Sequence, residues 1–230
     1  MNNIITNYHH LKKQIEDICK QNIINHPIGL IAVSKTFPID GIIKLHTDTG
    51  QIAFGENYAQ ELHEKARALA NYKLQWHFIG NIQSNKIKYI AESASWVHSL
   101  SKAKHVLLLN KNRGNIIAKL NVLIEVNISH DPNKHGLSNF VQILELADII
   151  SRQENLTLRG LMGMSGIMAD LYTKNQQFGE LKQLFDKLKS TSGFENIDTL
   201  SMGMSDDFEL AIKNGATMLR IGSKIFGRRK

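Results

Sequence analysis

A chain of 230 residues, 42% hydrophobic and 7% aromatic, can bury one large core, and with 3 Pro and no low-complexity stretch it shows no linker, so residues 1–230 read as one domain. Its single cysteine, Cys19, excludes an intrachain disulfide and a cysteine-based metal cluster. The formal charge of +7 is scattered apart from Arg228-Arg229-Lys230 and is not interleaved with aromatics, which argues against a nucleic-acid module and leaves anionic small molecules as partners.

The first residues, Met1-Asn2-Asn3-Ile4-Ile5-Thr6-Asn7, lack a charged region followed by an apolar one, and no segment is long enough to cross a membrane. A cytoplasmic protein without membrane contact is expected. Apolar residues at helical spacing (Tyr8, Leu11, Ile15, Ile18) predict an amphipathic helix over about 4–24. His9, His10 and Cys19 lie on or near it, an incomplete ligand set that reads as a solvated face and a packed thiol.

From there short apolar runs alternate with helical patterns. The pairs are 30–34 with 39–46, 51–54 with 58–70, 74–79 with 85–91, and 96–98 with 102–110. They continue as 122–127 with 139–150, 158–162 with 173–188, and 199–202 with 206–214, and the last run, 218–221, leads into the C-terminal tail. Ser84, Ser101, Ser138 and Ser205 each precede a helical pattern and are expected to cap it. Eight strand–helix units in one α/β domain predict a single parallel (β/α)8 TIM barrel with an extra N-terminal helix. The alternative is an open doubly wound sheet. No Gly-x-Gly-x-x-Gly follows the first strand, which weakens a dinucleotide fold.

In such a barrel the C-terminal strand ends line the working face. The first run, Leu30-Ile31-Ala32-Val33-Ser34-Lys35, ends before Thr36-Phe37-Pro38 and places an amine where partial desolvation favours its neutral form. A neutral lysine amine attacks carbonyls and forms Schiff bases. By itself Lys35 could equally be a lysine whose stem packs on the strand while its head stays in water. Other ends carry Gly55-Glu56-Asn57, His77, Glu125 with Asn127, and Met162-Gly163-Met164-Ser165, a sequence echoed at Met202–Ser205 about one unit later. The seventh and eighth ends bring Gly203, Gly222 and the hydroxyls of Ser201, Ser205 and Ser223, the composition of a phosphate cradle. Asp206 and Asp207 are expected in a first helical turn, facing outward. A Schiff-base lysine, a phosphate cradle and Arg220 together point to pyridoxal 5′-phosphate, with Arg220 against the pyridine nitrogen as a weak electron-sink partner.

Ala32-Val33-Ser34-Lys35-Thr36, Phe54-Gly55-Glu56-Asn57-Tyr58, Trp76-His77-Phe78-Ile79-Gly80, Gln83-Ser84-Asn85-Lys86, 200–207 and 220–227 closely resemble, in order, the pyridoxal phosphate homeostasis protein family. The resemblance implies the fold of the alanine racemase N-terminal barrel. It also implies a cofactor on Lys35, phosphate contacts from Ser201, Gly222 and Ser223, and an Arg220–pyridine contact, with Asn57 and His77 as cofactor neighbours. The chain departs from the family pattern at Ser223, where Thr is frequent, at Asn81, where Pro is common, and at Ser165-Gly166-Ile167, where prolines are common and a looser mouth is expected here. Lys134-His135-Gly136 resembles a family Lys-x-Gly loop, so Lys134 reads either as a solvated lysine or as a residue of cofactor exchange.

Racemisation needs acid–base groups on both faces of the substrate. In the two-domain racemases that the resemblance brings in, a β domain supplies the second, and no such domain follows residue 230 in this sequence. The expectation is a carrier and buffer of pyridoxal 5′-phosphate, monomeric, with pyridoxal-dependent apoenzymes as recipients. Two alternatives stand: an amino-acid racemase using a second base such as His77, and a Schiff-base aldolase acting on a sugar phosphate.

Overall fold

A computed structural model describes residues 4–114 and 118–227. After helix α1 (Ile4–Gln21) come strand β1 (Gly29–Val33), α2 (Ile39–Thr49), β2 (Ala53–Glu56), α3 (Ala59–Ala68), β3 (Gln75–Phe78) and α4 (Ile87–Ser93). The middle of the chain adds β4 (Trp96–Leu100), α5 (Ala103–Arg113), β5 (Leu120–Val126), α6 (Phe140–Ser151), β6 (Leu156–Gly163) and α7 (Leu171–Lys189). The chain closes with β7 (Thr199–Ser201), α8 (Phe208–Lys213), β8 (Met218–Ile221) and the one-turn α9 (Ser223–Phe226). The strands form a closed parallel barrel in sequence order. Closure is made where Gly29–Ala32 run beside Met218–Ile221. The predicted barrel and its extra N-terminal helix are therefore present, and the open sheet is not. Residues 228–230, the basic tail, lie outside the described residues.

Alternation along the strands sorts the side chains into two apolar bodies. The larger fills the space between barrel and helices, with Phe54, Phe78 and Phe178 among its fully buried members. The smaller joins Trp96, Leu123 and Met162, with Met218 packed on it from β8. Residues of β4, β5, β6 and β8 can meet in this way only inside the barrel. Helix α1 buries Tyr8, Leu11 and Ile15. Asn7 Nδ2 donates to Ile225 O at 3.1 Å, which ties α1 to the last strand–helix unit.

Element edges moved for physical reasons. Gln51 does not open β2: its side chain is a buried bracket that donates to Leu30 O and Ala53 O and accepts from the Tyr8 hydroxyl. The predicted serine caps shift by one to three residues. Asn139, not Ser138, caps α6, accepting from Gln142 N, while Gln142 Oε1 accepts from Ser138 N in return. Lys102 rather than Ser101 precedes α5, Ser84 starts a 3₁₀ turn, and α8 begins only at Phe208. Strand β4 is longer than expected, Trp96–Leu100, because a register shift between Val97 and Leu100 adds a residue. That shift presents Ser99 to the barrel mouth, a placement strict alternation does not give.

After β5 the chain turns back on itself. Asn127 N donates to Leu137 O and Leu137 N to Glu125 O, so the loop between them folds over the rim. Gly136 makes this possible: its φ is +113°, and a Cβ there would lie 2.6 Å from Asn127 N. No helix among the described residues is long and apolar enough to cross a membrane.

Candidate functional site

Parallel strands put every C-terminal end on one rim, and a cavity of about 430 Å³ opens there. Lys35, Asn57, Gly80, Ser99, Glu125 and Arg220 reach it from six different strands. Gly222 and Ser223 close one side, with Ser205 and Asp206 beside them. Of the residues expected from sequence, the structure thus gathers Lys35, Asn57, Arg220, Gly222 and Ser223 around one space.

Lys35 is half-buried, and its neighbours are anchored from behind. Ser34 Oγ donates to Glu56 Oε1 at 2.6 Å, and Lys65 Nζ, on α3, donates to Ser34 O and Glu56 Oε1 at 2.8 Å. The same ammonium reaches Glu61 Oε1 at 2.6 Å, and Glu61 Oε1 also accepts from Thr36 N at 2.7 Å. Thr36 has φ +65°, an uncommon geometry for a β-branched residue. Both peptide units flanking Lys35 are therefore fixed by one buried lysine–carboxylate cluster. Burial pushes the Glu56 carboxyl up, with Lys65 and Ser34 working against it.

Arg220 is held on its far side. Nη1 donates to Ser201 Oγ at 2.7 Å and Nη2 to Gly163 O at 3.1 Å. Burial lowers its pKa to about 10, so it stays charged near neutrality. Beneath it, Ser201 Oγ lies 3.0 Å from His98 Nδ1, and His98 Nε2 lies 3.0 Å from His77 Nδ1. Arginine only donates, so one assignment satisfies the row: Ser201 accepts from Arg220 and donates to His98, which donates to His77. The His77 Nε2 position is left buried without a partner among the described residues. Burial holds both rings neutral, lowering the His77 pKa to about 3 and the His98 pKa well below the usual value.

Two of the expected residues stand apart from this group. His77 and Ser201 are buried below the cavity floor and do not line it. The reason is depth: His77 and Ile79 share a strand face, but His77 lies one layer lower and Ile79, two residues on, reaches the cavity. The Ser201 hydroxyl accepts from Arg220 and braces that arginine. Asp207 corrects an expectation. It does not face outward; it is buried, accepting from Ser165 Oγ at 2.6 Å and from Met204 N at 2.7 Å. With Gln177 Oε1 accepting from Gly166 N, those bonds pin the start of the loop after β6, which is not loose there. Ile167 and Met168 beyond it are exposed.

Lys134 is tied across the mouth, donating to Ser165 O at 3.3 Å, rather than standing free in solvent. Ser99 also reaches the cavity, and its hydroxyl donates to Gly80 O. Gly80 is pressed against β2: a Cβ there would lie 1.9 Å from Asn57 O. Sequence reasoning did not single out Asn81, Ser99 or His135 for this wall. It placed Glu125 at a strand end without giving it a role. The available signal was parity, since Glu125 sits two residues after Leu123, which packs inside the barrel. No group of three or more His, Cys, Asp or Glu among the described residues could hold a metal ion.

The profile of the family described as alanine racemase, N-terminal domain, matches residues 7–230. A pyridoxal phosphate homeostasis protein of Vibrio alginolyticus is 42% identical over 100% of this chain and 99% of its own length. One of Haemophilus influenzae is 42% identical over 99% of this chain and 96% of its own. Among solved structures, PipY of Synechococcus elongatus with pyridoxal 5′-phosphate bound superposes with a TM-score of 0.79 at 27% identity, covering 93% of this chain and 100% of that one. Barrel, rim cavity and full-length relatives agree: this chain belongs to the alanine racemase N-terminal domain family and, within it, to the pyridoxal phosphate homeostasis proteins.

Proposed function

We propose that this protein holds pyridoxal 5′-phosphate reversibly in the barrel mouth, on Lys35, and buffers its supply without efficient amino-acid chemistry. The residues present fit that group. Asn57 Oδ1 is a buried polar atom at the cavity with no partner among the described residues, ready for a polar substituent. Gly222 passes close to the end of β1: a Cβ there would lie 3.1 Å from Val33 O, a tight approach that its bare backbone avoids. The exposed Ser223 hydroxyl and the Gly222 backbone would take the phosphate. Arg220, charged and braced from behind, would face the ring nitrogen and hold it unprotonated. When bound, the group supplies an aldehyde carbon that condenses with an amine, releasing water.

The chain's own residues set the limits of that chemistry. The cluster of Lys65, Glu56 and Glu61 fixes the backbone on either side of Lys35 and so sets where its side chain leaves the rim. A racemase would need a second acid–base residue on the face opposite Lys35. The candidate from sequence, His77, is enclosed beneath the floor, and burial keeps its ring neutral near neutral pH. No tyrosine lines the cavity among the described residues. That single observation, a lysine facing a cavity from which His77 is absent, carries the carrier reading over racemase. The aldolase reading shares the lysine and the phosphate side, and no further feature among the described residues selects a sugar. A monomer that delivers to pyridoxal-dependent apoenzymes completes the proposal. The test is to load the protein with pyridoxal 5′-phosphate and assay it on a panel of amino acids, following deuterium entry at the α-carbon. Turnover near that of ordinary pyridoxal enzymes would reject it.

A further inference from the structure

Glu125 is the one acidic side chain that β5 sends into the cavity, and the row around Arg220 does not use it. It is 6% exposed, and its carboxylate accepts no hydrogen bond among the described residues. Its Cα partner on β6 is Met162, and Met164 also lines the cavity, so that flank is apolar. Among the described residues, the charged and titratable groups that face the same space are few. Arg220 comes from β8, Lys35 from β1, His135 from the loop after β5 and Asp206 from the loop after β7. His98 and His77 lie one layer below and are neutral. Arg220 is the cation that stabilises a Glu125 carboxylate, yet two of its nitrogens are committed to Ser201 and Gly163. A buried carboxyl with so little help keeps its proton to high pH, and here the pKa is raised to about 7.

Resting on the proposed cofactor role, we propose that Glu125 is a further cofactor-cavity residue that enters the complex as the neutral acid, so that pyridoxal 5′-phosphate binding carries a proton into the site. The physical reason is crowding of negative charge. A phosphate ester brings anionic charge into a 430 Å³ space that already holds this carboxyl. A second negative charge in low dielectric raises the carboxyl's proton affinity further, and Arg220 cannot neutralise both. The proton comes from solvent and stays on a Glu125 oxygen, which becomes a donor in a cavity rich in acceptors such as Asn57 Oδ1. No covalent bond of Glu125 other than this O–H changes.

Titration calorimetry of pyridoxal 5′-phosphate binding, in buffers of differing ionisation enthalpy, counts the protons taken up. At pH 7 the wild-type protein should take up about half a proton more than Glu125→Gln, the free carboxyl being half ionised there. Near pH 8 the difference should approach about one proton, and wild-type affinity should fall up to about tenfold per pH unit relative to the variant. Equal proton counts in two proteins that both bind would overturn the inference and leave the cofactor reading standing. A folded Glu125→Gln that no longer binds also overturns it, because the amide copies the neutral acid. Absence of binding by the wild type would remove the cofactor reading and this inference with it. A second measurement covers a variant that does not fold. Difference infrared spectra of wild type at pH 8, with and without pyridoxal 5′-phosphate, should show a carboxylic acid carbonyl band that appears on binding and shifts in glutamate-labelled protein. A spectrum without that band overturns the inference.

Discussion

Replacing Lys65 by Met tests whether the cluster behind Lys35 is structural in the way its geometry requires. The ammonium donates to Glu56, Glu61 and Ser34 O at 2.6–2.8 Å, and its side chain is only 8% exposed beside a Glu56 side chain at 0%. Methionine keeps most of the volume but removes the charge. Glu56 is then an uncompensated buried carboxylate whose Oε2 already lacks a partner. Losing one member of such a pair costs about 3–5 kcal/mol. For a chain of this size that lowers the melting temperature by roughly 6–20 °C. The penalty should depend on pH. With Lys65 gone, the folded-state pKa of Glu56 rises further above its unfolded value. The native state then binds the extra proton, and stability is lost as pH rises from the unfolded pKa through the folded one. The deficit of Lys65→Met should therefore be larger at pH 8 than at pH 5. Restoring neutrality with Glu56→Gln in the same chain should recover part of it. Thermal unfolding of the two single variants and the double variant against wild type at both pH values measures all of this. A loss under about 1 kcal/mol, or one that does not change with pH, refutes the reasoning, because it would mean water or Ser34 alone satisfies Glu56.

Lys35→Ala should abolish the visible absorbance band of the loaded protein, and borohydride reduction of wild type followed by digestion and mass analysis should place the pyridoxyl adduct on Lys35. Ser223→Ala removes one exposed hydroxyl from the phosphate side and should weaken binding by about tenfold, near 1.4 kcal/mol, read from equilibrium titration. Gly80→Ala forces a Cβ to 1.9 Å from Asn57 O, so β2 and β3 must part at the rim. The variant should lose at least about 1–3 kcal/mol in denaturant unfolding, and cofactor affinity with it. The two buried histidines give the protein an acid weakness. Their folded pKa values are depressed, so the unfolded state binds more protons, and stability falls as pH drops below the unfolded value near 6.5 toward about 3. At pH 5 the His77 contribution alone is about 2 kcal/mol, and replacing His77 and His98 together by Phe and Leu should flatten melting temperature against pH in that window.

Much of the site could be read from the chain because its elements end in diagnostic residues. A β-rich apolar run closing on Lys35, and glycines and serines after the last strands, place an amine and an anion cradle on one rim once eight parallel strands are assumed. The order of the strands comes from the alternation of runs, since sequential parallel units with helical crossovers close in one direction only. What spacing along the chain does not carry is depth. Whether a strand residue faces the cavity or the layer under it depends on barrel stagger, and His77 and Ser201 fell below the floor for that reason. The β4 register shift that delivers Ser99 and the fold-back over Gly136 are likewise products of closure, not of local propensity. Lys65 reads on its own as a surface residue of an amphipathic helix. Only packing of α3 on β1 and β2 buries it among Glu56, Glu61 and Ser34 O. Sequence determined which chemical groups this protein owns and on which rim they gather. Tertiary structure decided which of them meet, because contact between residues far apart in the chain is set by layer, stagger and the exclusion of water.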